Sequence, residues 1–388
     1  MRKKIKKQLK VIIAMSGGID SSVAAALLKK GLAPYQSKAR YGVNFDVVGI
    51  FMKFWAPQGG ATQINTDKNA DLHGYENRCC TPESEKRARL VAEKLNIPFY
   101  VLNFEKEFKK KVVDYFLKEY RAGRTPNPCV VCNKEIKFGL LLEKVLKLGA
   151  DFVATGHYAR LRRVGAGYKL LKARDKNKDQ SYFLWRLNQK ILKKTLFPVG
   201  GYTKTEVRRL AKEFKLPVLN IPESQEVCFI PTTISDFLRE RLKSKPGKII
   251  NVKGSVIGEH QGLWFYTIGQ RKGIKVASGK PYYVLSKDVK KNLLIVSQNK
   301  KDLYKKELIA KNVNWVSNEK PKFPLKVMAK IRYRHNLASA ILLRTKDGRI
   351  KVVFPKPQKA ITPGQSVVFY KGEELLGGGT IDKVIGFG

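Results

Sequence analysis

The feature that most constrains the fold of this 388-residue chain is the run VIIAM, SGGIDSS, VAAALLKKGL at residues 11–32. Its order of apolar run, Gly/Ser loop and amphipathic segment is typical of a strand that turns tightly into a helix. Further apolar runs (DVVGIFMKF, IPFYVLNF and DFVATGH) alternate with helix-like segments. This alternation predicts an α/β N-terminal domain, with a parallel sheet covered by helices on both faces and ligands beyond the carboxyl ends of its strands.

The later parts of the chain have a different pattern of apolar, polar and turn-forming residues. TKTEVRRLAKEF and TISDFLRERLKS each offer a Ser/Thr cap and an amphipathic body, which predicts a small, mainly helical central domain. Beyond Gly258, short apolar runs separated by turn residues, from KPYYVLSKDV onward, predict a C-terminal antiparallel β-barrel. We therefore expect three domains, at residues 1–200, 201–272 and 273–388.

The charge balance points to a polyanionic partner. The chain carries 77 Lys+Arg against 32 Asp+Glu, a net charge of +45. This excess favours a nucleic acid as the partner, and the alternative is that most of the lysines are merely solvated. The chain has no run of about 18 uncharged apolar residues, so no membrane span is predicted. Five cysteines are too few, and odd in number, for a secreted disulfide framework, so we expect a cytoplasmic protein without membrane attachment.

The Gly/Ser loop has the composition of a phosphate site. Gly17 and Gly18 allow close backbone approach, and the N–H groups that open the next helix favour an anion. Asp20 would chelate a Mg²⁺ that bridges pyrophosphate. The loop lacks the Gly-Lys-Ser/Thr of a Walker A motif and the G-x-G-x-x-G of a dinucleotide turn. It resembles the PP-loop of ATP pyrophosphatases, although a purely structural turn is the alternative.

The cysteines offer a second chemistry. In TPNPCVVCNKE we expect a helix to begin near Asn133, so that its dipole lowers the pKa of the Cys132 thiol. The C-x-x-C pair, Cys129 and Cys132, could be a zinc half-site, a redox pair or two packed thiols. Cys228 follows about a hundred residues later in VCFI, whose apolar neighbours favour a packed, extended segment. It is either a buried apolar residue or the distant half of a reactive site.

Seven ordered motifs together resemble the tRNA-specific 2-thiouridylase family over nearly the whole chain. They are SGGIDSS, RTPNPCVVCNKEIKFG, ATGHYAR, KDQSYFL, SQEVCFI, GEHQGLWFYTIGQRKGI and ITPGQSVVFY. The resemblance implies that ATP, with Mg²⁺, activates C2 of the wobble uridine of tRNA. AMP and pyrophosphate are then released, and sulfur from an upstream donor protein replaces the C2 oxygen.

The resemblance also implies roles for individual positions. Cys132 would be the first catalytic cysteine and Cys228 the persulfide carrier, with Asp20 at the activating loop. The implied ATP-binding residues are Ala14, Met15, Ser16, Gly17, Gly18, Ile19, Asp20, Ser21, Met52 and Gly156. The implied tRNA contacts are Asn127, Pro128, Cys129, Lys178, Asp179, Gln180, Arg332 and Tyr333.

One departure from the family pattern leaves the sulfur route open. Many members have Asp where this chain has Cys129, so three thiols are present, at Cys129, Cys132 and Cys228. Three thiolates that leave one iron open suit a 4Fe-4S cluster, as in Fe-S-dependent tRNA thiolases, whereas a persulfide relay needs two cysteines. Cys79 and Cys80 are adjacent, and we expect an incidental role for them.

Several further side chains are open to more than one interpretation. In KIRYRH, strand alternation would place Arg332 and Arg334 on one face, either for phosphate contact or as a solvated face of the barrel, with Tyr333 opposite. His157 is either a substrate contact or a hydrogen-bonded structural residue.

The competing functions are a PP-loop synthetase or amidotransferase that adenylates a small molecule, and an RNA-binding protein with a degenerate nucleotide site.

Overall fold

The computed structural model describes residues 8–33, 45–56, 81–219, 227–230, 233–277 and 279–386. Cys79, Cys80 and nearly all of the two long loops, 35–45 and 56–81, lie outside these ranges. The N-terminal domain contains a parallel sheet of five strands in the order β3-β2-β1-β4-β7. The strands are β1 (Leu9–Ala14), β2 (Phe45–Lys53), β3 (Phe99–Asn103), β4 (Phe152–Thr155) and β7 (Thr195–Leu196).

The alternation of side chains along β1 builds a core on each face of this sheet. Val11 and Ile13 pack with helices α1 (Ile19–Lys29), α2 (Pro82–Lys94) and α8 (Lys204–Glu213) on one face. Ile12 and Ala14 pack on the other face with helices α4 (Asp114–Arg121), α6 (Leu141–Lys147) and α9 (Ile234–Arg241). The prediction of a parallel sheet with helices on both faces is confirmed. The helices of this domain are α1 (Ile19–Lys29), α2 (Pro82–Lys94), α3 (Glu105–Phe108), α4 (Asp114–Arg121), α5 (Pro128–Cys132), α6 (Leu141–Lys147), α7 (Gln189–Leu192) and α8 (Lys204–Glu213), with α9 (Ile234–Arg241) following.

The cysteine-bearing helix begins earlier than expected. Its first segment is α5, and a π-helical segment (Asn133–Leu140) continues it into α6. The side chain of Asn127 caps the helix by accepting a hydrogen bond from the N–H of Val130 at 3.4 Å, and Pro128 occupies the first turn. The expected start near Asn133 was therefore wrong, because Asn-Pro is itself a helix-start signal. Cys129 lies in the first turn, and Cys132 lies a turn further on.

A separate four-stranded sheet follows α9. Its strands are β8 (Gly247–Asn251), β9 (Val256–His260), β10 (Tyr283–Asp288) and β11 (Leu293–Ser297), in the order β10-β11-β8-β9. We expected the last two strands in the C-terminal barrel, but β11 pairs in parallel with β8. The expected boundary at residues 272 and 273 consequently falls in the loop between β9 and β10, inside this sheet.

The C-terminal barrel is closed and antiparallel, as predicted. Its six strands are β12 (Tyr304–Trp315), β13 (Leu325–Lys330), β14 (Ala338–Arg344), β15 (Ile350–Lys359), β16 (Ser366–Lys371) and β17 (Glu374–Ile385), and β12 pairs with β17 to close it. A hairpin of the N-terminal domain, β5 (Ala159–Val164) and β6 (Gly167–Lys172), adds to the barrel through β17. The barrel sheet therefore includes strands from the N-terminal domain as well as from the C-terminal part of the chain.

Candidate functional site

The Gly/Ser loop is held in shape by its own hydroxyl groups. The Oγ of Ser21 accepts a hydrogen bond from the N–H of Ser16 at 3.1 Å and donates one to the carbonyl of Gly18 at 3.0 Å. The hydroxyl of Ser22 also donates to that carbonyl, at 2.9 Å. The loop is thus preorganised at the carboxyl end of β1, where α1 begins.

Two glycines allow close backbone approach around this loop. Gly17 has a φ of +71°, and a Cβ there would lie 2.2 Å from the carbonyl oxygen of Ser84. Gly156 follows β4, and a Cβ there would lie 2.7 Å from the backbone nitrogen of Ser21. A larger residue at either position would displace backbone, so both glycines are required by the packing of the loop.

Asp20 is fixed by two partners that the sequence did not suggest. Its Oδ1 accepts a hydrogen bond from the Tyr158 hydroxyl at 2.7 Å and an ion pair from Lys204 Nζ at 2.7 Å. Lys204 opens α8 and is buried, whereas the Asp20 side chain is about a third exposed. Among the described residues, Oδ2 of Asp20 has no hydrogen-bond partner. This oxygen is thus available to a Mg²⁺ ion, which prefers carboxylate oxygens.

A cavity of about 370 Å³ joins the loop to the three predicted cysteines. Cys132 is buried, Cys228 is half-buried and Cys129 is exposed. Cys132 and Cys228 also belong to one apolar cluster on the same face of the sheet. The remaining predicted residues on the cavity wall are Ala14, Met15, Ser16, Gly18, Ile19, Asp20, Ser21, Met52, Pro128, Gly156 and Gln180.

The segment that carries Cys228 is anchored by its neighbours. Phe229 packs edge-to-face against Phe108 and Phe116, with ring centroids 5.7 and 5.4 Å apart. The packing expected from VCFI is present, but the N–H of Ile230 donates to the carbonyl of Val227 at 3.0 Å. Residues 227–230 therefore form a turn and not an extended segment, and this turn directs Cys228 to the cavity while its neighbour enters the core.

His157 is a neutral side chain on the cavity wall. Burial, with the nearby charge of Lys137, lowers the pKa of His157 well below its usual value. Its Nδ1 lies 2.8 Å from the hydroxyl of Thr155, and its ring packs near Phe138 and Phe197. The ring is therefore fixed by hydrogen bonding and also faces the cavity, and its contact with the substrate stays a prediction.

The expected tRNA contacts are divided between the cavity and its surroundings. Asp179 is buried and accepts hydrogen bonds from the N–H groups of Ala173 and Ser181, at 3.0 and 3.1 Å. Lys178 closes the preceding turn, with its N–H donating to the carbonyl of Asp175 at 3.2 Å. The amide oxygen of Gln180 accepts a hydrogen bond from the N–H of Tyr158 at 2.9 Å.

The barrel residues Arg332 and Tyr333 lie in a bend beyond β13, outside the cavity wall. The expected strand alternation over KIRYRH was wrong, because β13 ends at Lys330 and the chain turns there. The ring of Tyr333 instead packs 4.5 Å from Phe183, which lines the cavity. Aromatic packing therefore connects this bend of the barrel to the rim of the site.

Four site residues were missed by sequence reasoning: Arg87, Lys137, Tyr158 and Lys204. The Nε of Arg87 donates to the carbonyl of Gly17 at 3.3 Å. Lys137 lines the cavity five residues beyond Cys132, about one turn of the π-helical segment. A helix start at TKTEVRR was visible in the sequence, but nothing there indicated that Lys204 reaches a carboxylate 184 positions earlier.

The parallel sheet, the preorganised loop and the Asp20 carboxylate at the cavity define an ATP-using enzyme of the PP-loop class. Family models match most of the chain: "tRNA methyl transferase HUP domain" at residues 9–232, "tRNA methyl transferase PRC-barrel domain" at 235–298 and "Aminomethyltransferase beta-barrel domain" at 305–381. The chain is 45% identical to the tRNA-specific 2-thiouridylase MnmA of Geobacillus thermodenitrificans, over 97% of this chain and 95% of the relative. It is 44% identical to that of Carboxydothermus hydrogenoformans, over 96% and 98% of the two chains.

The chain belongs to the tRNA-specific 2-thiouridylase family. Among solved structures, the U34-tRNA thiolase NcsA from Methanococcus maripaludis with its [4Fe-4S] cluster is similar to 62% of this chain, and the match covers 69% of NcsA. The sequence identity there is 19% and the TM-score is 0.33, so this likeness carries no argument about the sulfur route. In the described residues, no helix is long and apolar enough to cross a membrane.

Proposed function

We infer that this chain is an ATP-dependent tRNA-uridine 2-sulfurtransferase, which acts on the wobble uridine. The observation that carries the inference is the single cavity shared by the activating loop and the cysteines. Adenylation of the C2 oxygen would release pyrophosphate and convert a poor leaving group into AMP. Asp20 and the N–H groups at the start of α1 would hold the Mg²⁺ and phosphates of ATP.

For sulfur transfer, we propose a relay between Cys228 and Cys132. A donor protein would load Cys228 as a persulfide, and the terminal sulfur would attack C2 as AMP leaves with the oxygen. The Cys132 thiolate would then attack the Cys228 sulfur and break the S–S bond, so that one sulfur remains on C2. The resulting Cys132–Cys228 disulfide must be reduced by an external dithiol before the next cycle.

The position of Cys129 supports a second route. A 4Fe-4S cluster fits the donor set chemically, since Cys129, Cys132 and Cys228 all line the cavity and would leave one iron open. Among the described residues, however, no three His, Cys, Asp or Glu side chains already lie together in a group that could hold a metal ion. Because Cys129 is also the exposed member of the trio, we favour the two-cysteine relay.

Matched serine substitutions separate the two routes. With the relay, Cys132→Ser and Cys228→Ser each abolish thiolation, whereas Cys129→Ser retains most of it. With a cluster, all three variants lose thiolation together, and anaerobic reconstitution of the unmodified protein gives roughly four irons per chain with broad absorption near ~400 nm. Iron and sulfide analysis of anaerobically purified protein decides the point without reference to activity.

The function itself is tested by ATP–pyrophosphate exchange with and without bulk tRNA. A tRNA thiolase shows exchange that depends on tRNA, and Cys228→Ser retains it because adenylation precedes sulfur transfer. Exchange that needs a metabolite instead of tRNA would indicate a small-molecule synthetase. RNA binding without exchange would indicate a degenerate nucleotide site.

The family models carry a methyltransferase name, which gives a further alternative. Methyl transfer would use neither a pyrophosphate loop nor two thiols beside it, so the site favours thiolation. Mass spectrometry of nucleosides from treated tRNA distinguishes the two products directly. A methylated uridine without sulfur would contradict the proposed function.

A further inference from the structure

A second cavity, of about 290 Å³, lies on the other side of the cysteine-bearing helix. Cys129, Cys132 and Asn133 line the first cavity, whereas Val131 and Glu135 line the second. The opposite wall of the second cavity is formed by the barrel strands β12 and β17. Its volume is at the lower limit of small-ligand sites, which begin at roughly 300 Å³. The helix is therefore a wall shared by two cavities.

The lining of the second cavity carries an excess of positive charge. Lys111, Arg186 and Lys311 come from three separate elements, and the acids are Glu119 and Glu135. Glu119 is already engaged by both ends of the Arg124 guanidinium, at 2.6 and 2.7 Å. Glu135 is paired with Lys111 and with Lys134, each at 3.3 Å. Lys311 pairs with Asp382, which does not line the cavity, so Arg186 is the lining cation without an ion pair among the described residues, and its charge favours an anion there.

Arg186 is the cation that this arrangement leaves uncompensated. Within the described part of the chain, no carboxylate forms an ion pair with Arg186, whose guanidinium lies 5.8 Å from the ring centroid of Trp185. The barrel fixes the backbone on both sides, because Asn314 Nδ2 donates to the carbonyls of Trp185 and Leu187 at 2.7 and 3.0 Å. The guanidinium is thus positioned at the junction of the catalytic domain and the barrel.

A neutral donor lies beside it. Burial, with the nearby charge of Glu119, raises the pKa of Tyr115 to about 12, while Arg186 and Arg124 oppose that rise. The phenol therefore stays protonated at physiological pH and can donate a hydrogen bond to an anion. A guanidinium, an ammonium and a phenol that line one cavity are the donors that proteins use for phosphate oxygens.

We propose that the second cavity binds one phosphate of the tRNA backbone, with Arg186 as its principal ligand and Lys311 and Tyr115 in support. The proposal rests on the proposed function, because RNA is then the substrate. It explains why a chain with a net charge of +45 places between two domains a cation that no described carboxylate pairs with. A phosphate held behind the catalytic helix would orient the RNA without contacting the target base.

The test is Arg186→Gln, with tRNA affinity measured as a function of salt. Loss of one phosphate contact should weaken binding about tenfold near 0.1 M salt and reduce the slope of log affinity against log salt by about one unit. The matched control is Arg209→Gln on α8, an exposed arginine that also lacks an ion pair among the described residues. It removes the same charge and should change affinity less than about twofold, while Arg186→Lys should recover part of the loss.

Every outcome bears on the proposal. Equal affinities and salt slopes for the two glutamine variants overturn it. The proposal also fails if Arg186→Gln no longer binds inorganic phosphate in calorimetry but binds tRNA as the unmodified protein does. The ligand of the cavity would then be free phosphate and not a phosphate of the tRNA backbone. If Arg186→Gln unfolds at a lower temperature than the unmodified protein, Lys311→Gln serves instead, because Asp382 keeps Arg349 as a partner. If the unmodified protein neither binds tRNA nor shows ATP–pyrophosphate exchange, the proposed function itself is contradicted, together with this site.

Discussion

At the scale of single residues, the Asp20–Lys204 ion pair gives the site its orientation. Both Lys204 and Tyr158 bond the same carboxylate oxygen, so the other oxygen is directed to the cavity. A hydrogen bond to a charged group contributes about 1.5–3 kcal/mol, which is enough to hold one rotamer. Lys204 therefore acts as a positioning residue for Asp20, the proposed ligand of Mg²⁺.

Lys204→Gln should reduce tRNA-dependent ATP–pyrophosphate exchange by about tenfold or more, because Asp20 loses its fixed orientation. The assay is exchange over a range of Mg²⁺ concentrations. Lys212→Gln, an exposed lysine on the same helix, is the control and should leave exchange unchanged. Wild-type exchange with Lys204→Gln would show that the pair has only a structural role.

His157 makes a prediction about pH. Its pKa in the folded protein lies below that of the unfolded chain, ~6.5, so at low pH the unfolded chain binds a proton that the folded protein does not. Stability is therefore complete above about pH 6.5 and decreases as the pH falls, by up to about 1.4 kcal/mol per pH unit. Urea unfolding at pH 7.5, 6.5 and 5.5 should show a smaller decrease for His157→Gln. An identical decrease in both proteins would mean that other groups are responsible.

The sequence could indicate which residues carry chemistry, but not which residues hold them. Asp20 and Cys132 stand out because their types and neighbours have a chemical meaning. Tyr158 and Lys204 do not, since their roles depend on where α8 packs against α1. Contacts between positions 184 residues apart are created by the tertiary fold and leave no local pattern.

At the scale of elements, the cap of the cysteine-bearing helix is the most informative position. Asn127→Ala should lower the free energy of unfolding by about 0.5–2 kcal/mol, because the N–H of Val130 loses its acceptor. Asn127→Asp keeps the cap and should keep the stability, as measured by urea denaturation. If Asn127 also contacts RNA, the added negative charge of Asn127→Asp would reduce thiolation without unfolding the protein. Equal stability of the alanine variant would exclude a capping role.

The type of most elements was predictable, whereas two boundaries were not. The helix at Pro128 starts five residues before the expected position, because Asn127 caps it and Pro128 suits its first turn. The strand β13 ends at Lys330. Beyond it the side chains no longer alternate between two faces, and Tyr333 packs against Phe183. In both cases the local pattern was compatible with two structures, and contacts with other elements decided between them.

At the scale of the whole molecule, charge sets the conditions under which the enzyme meets RNA. If about six phosphates are neutralised, log affinity for tRNA should fall with log salt with a slope of roughly −5, so that doubling the salt weakens binding about 30-fold. Filter binding between 0.1 and 0.2 M KCl measures this slope. ATP binding provides the internal comparison, because few charges are involved there. A flat salt response would show that most of the net charge of +45 is remote from the RNA.

The sequence predicted three regions of different secondary structure, and the structure shows which strands of these regions pair. Strands β8 and β11 were separated by an expected boundary, yet they pair in parallel. The hairpin β5–β6 looked like part of the N-terminal domain, yet it extends the barrel. Pairing partners distant in sequence cannot be recognised from periodicity, since each strand shows only its own alternation.

That hairpin also has a consequence for biosynthesis. Leu171 in β6 pairs with Glu374 in β17, about 200 residues later in the chain. At roughly 5–20 residues per second, the ribosome delivers β17 some 10–40 s after β6. During that interval β6 presents an unpaired strand edge, the kind of surface that other chains can pair with and that chaperones protect. A slower ribosome would lengthen this exposure, so the yield of folded enzyme should depend on translation speed through the roughly 200 codons between β6 and β17.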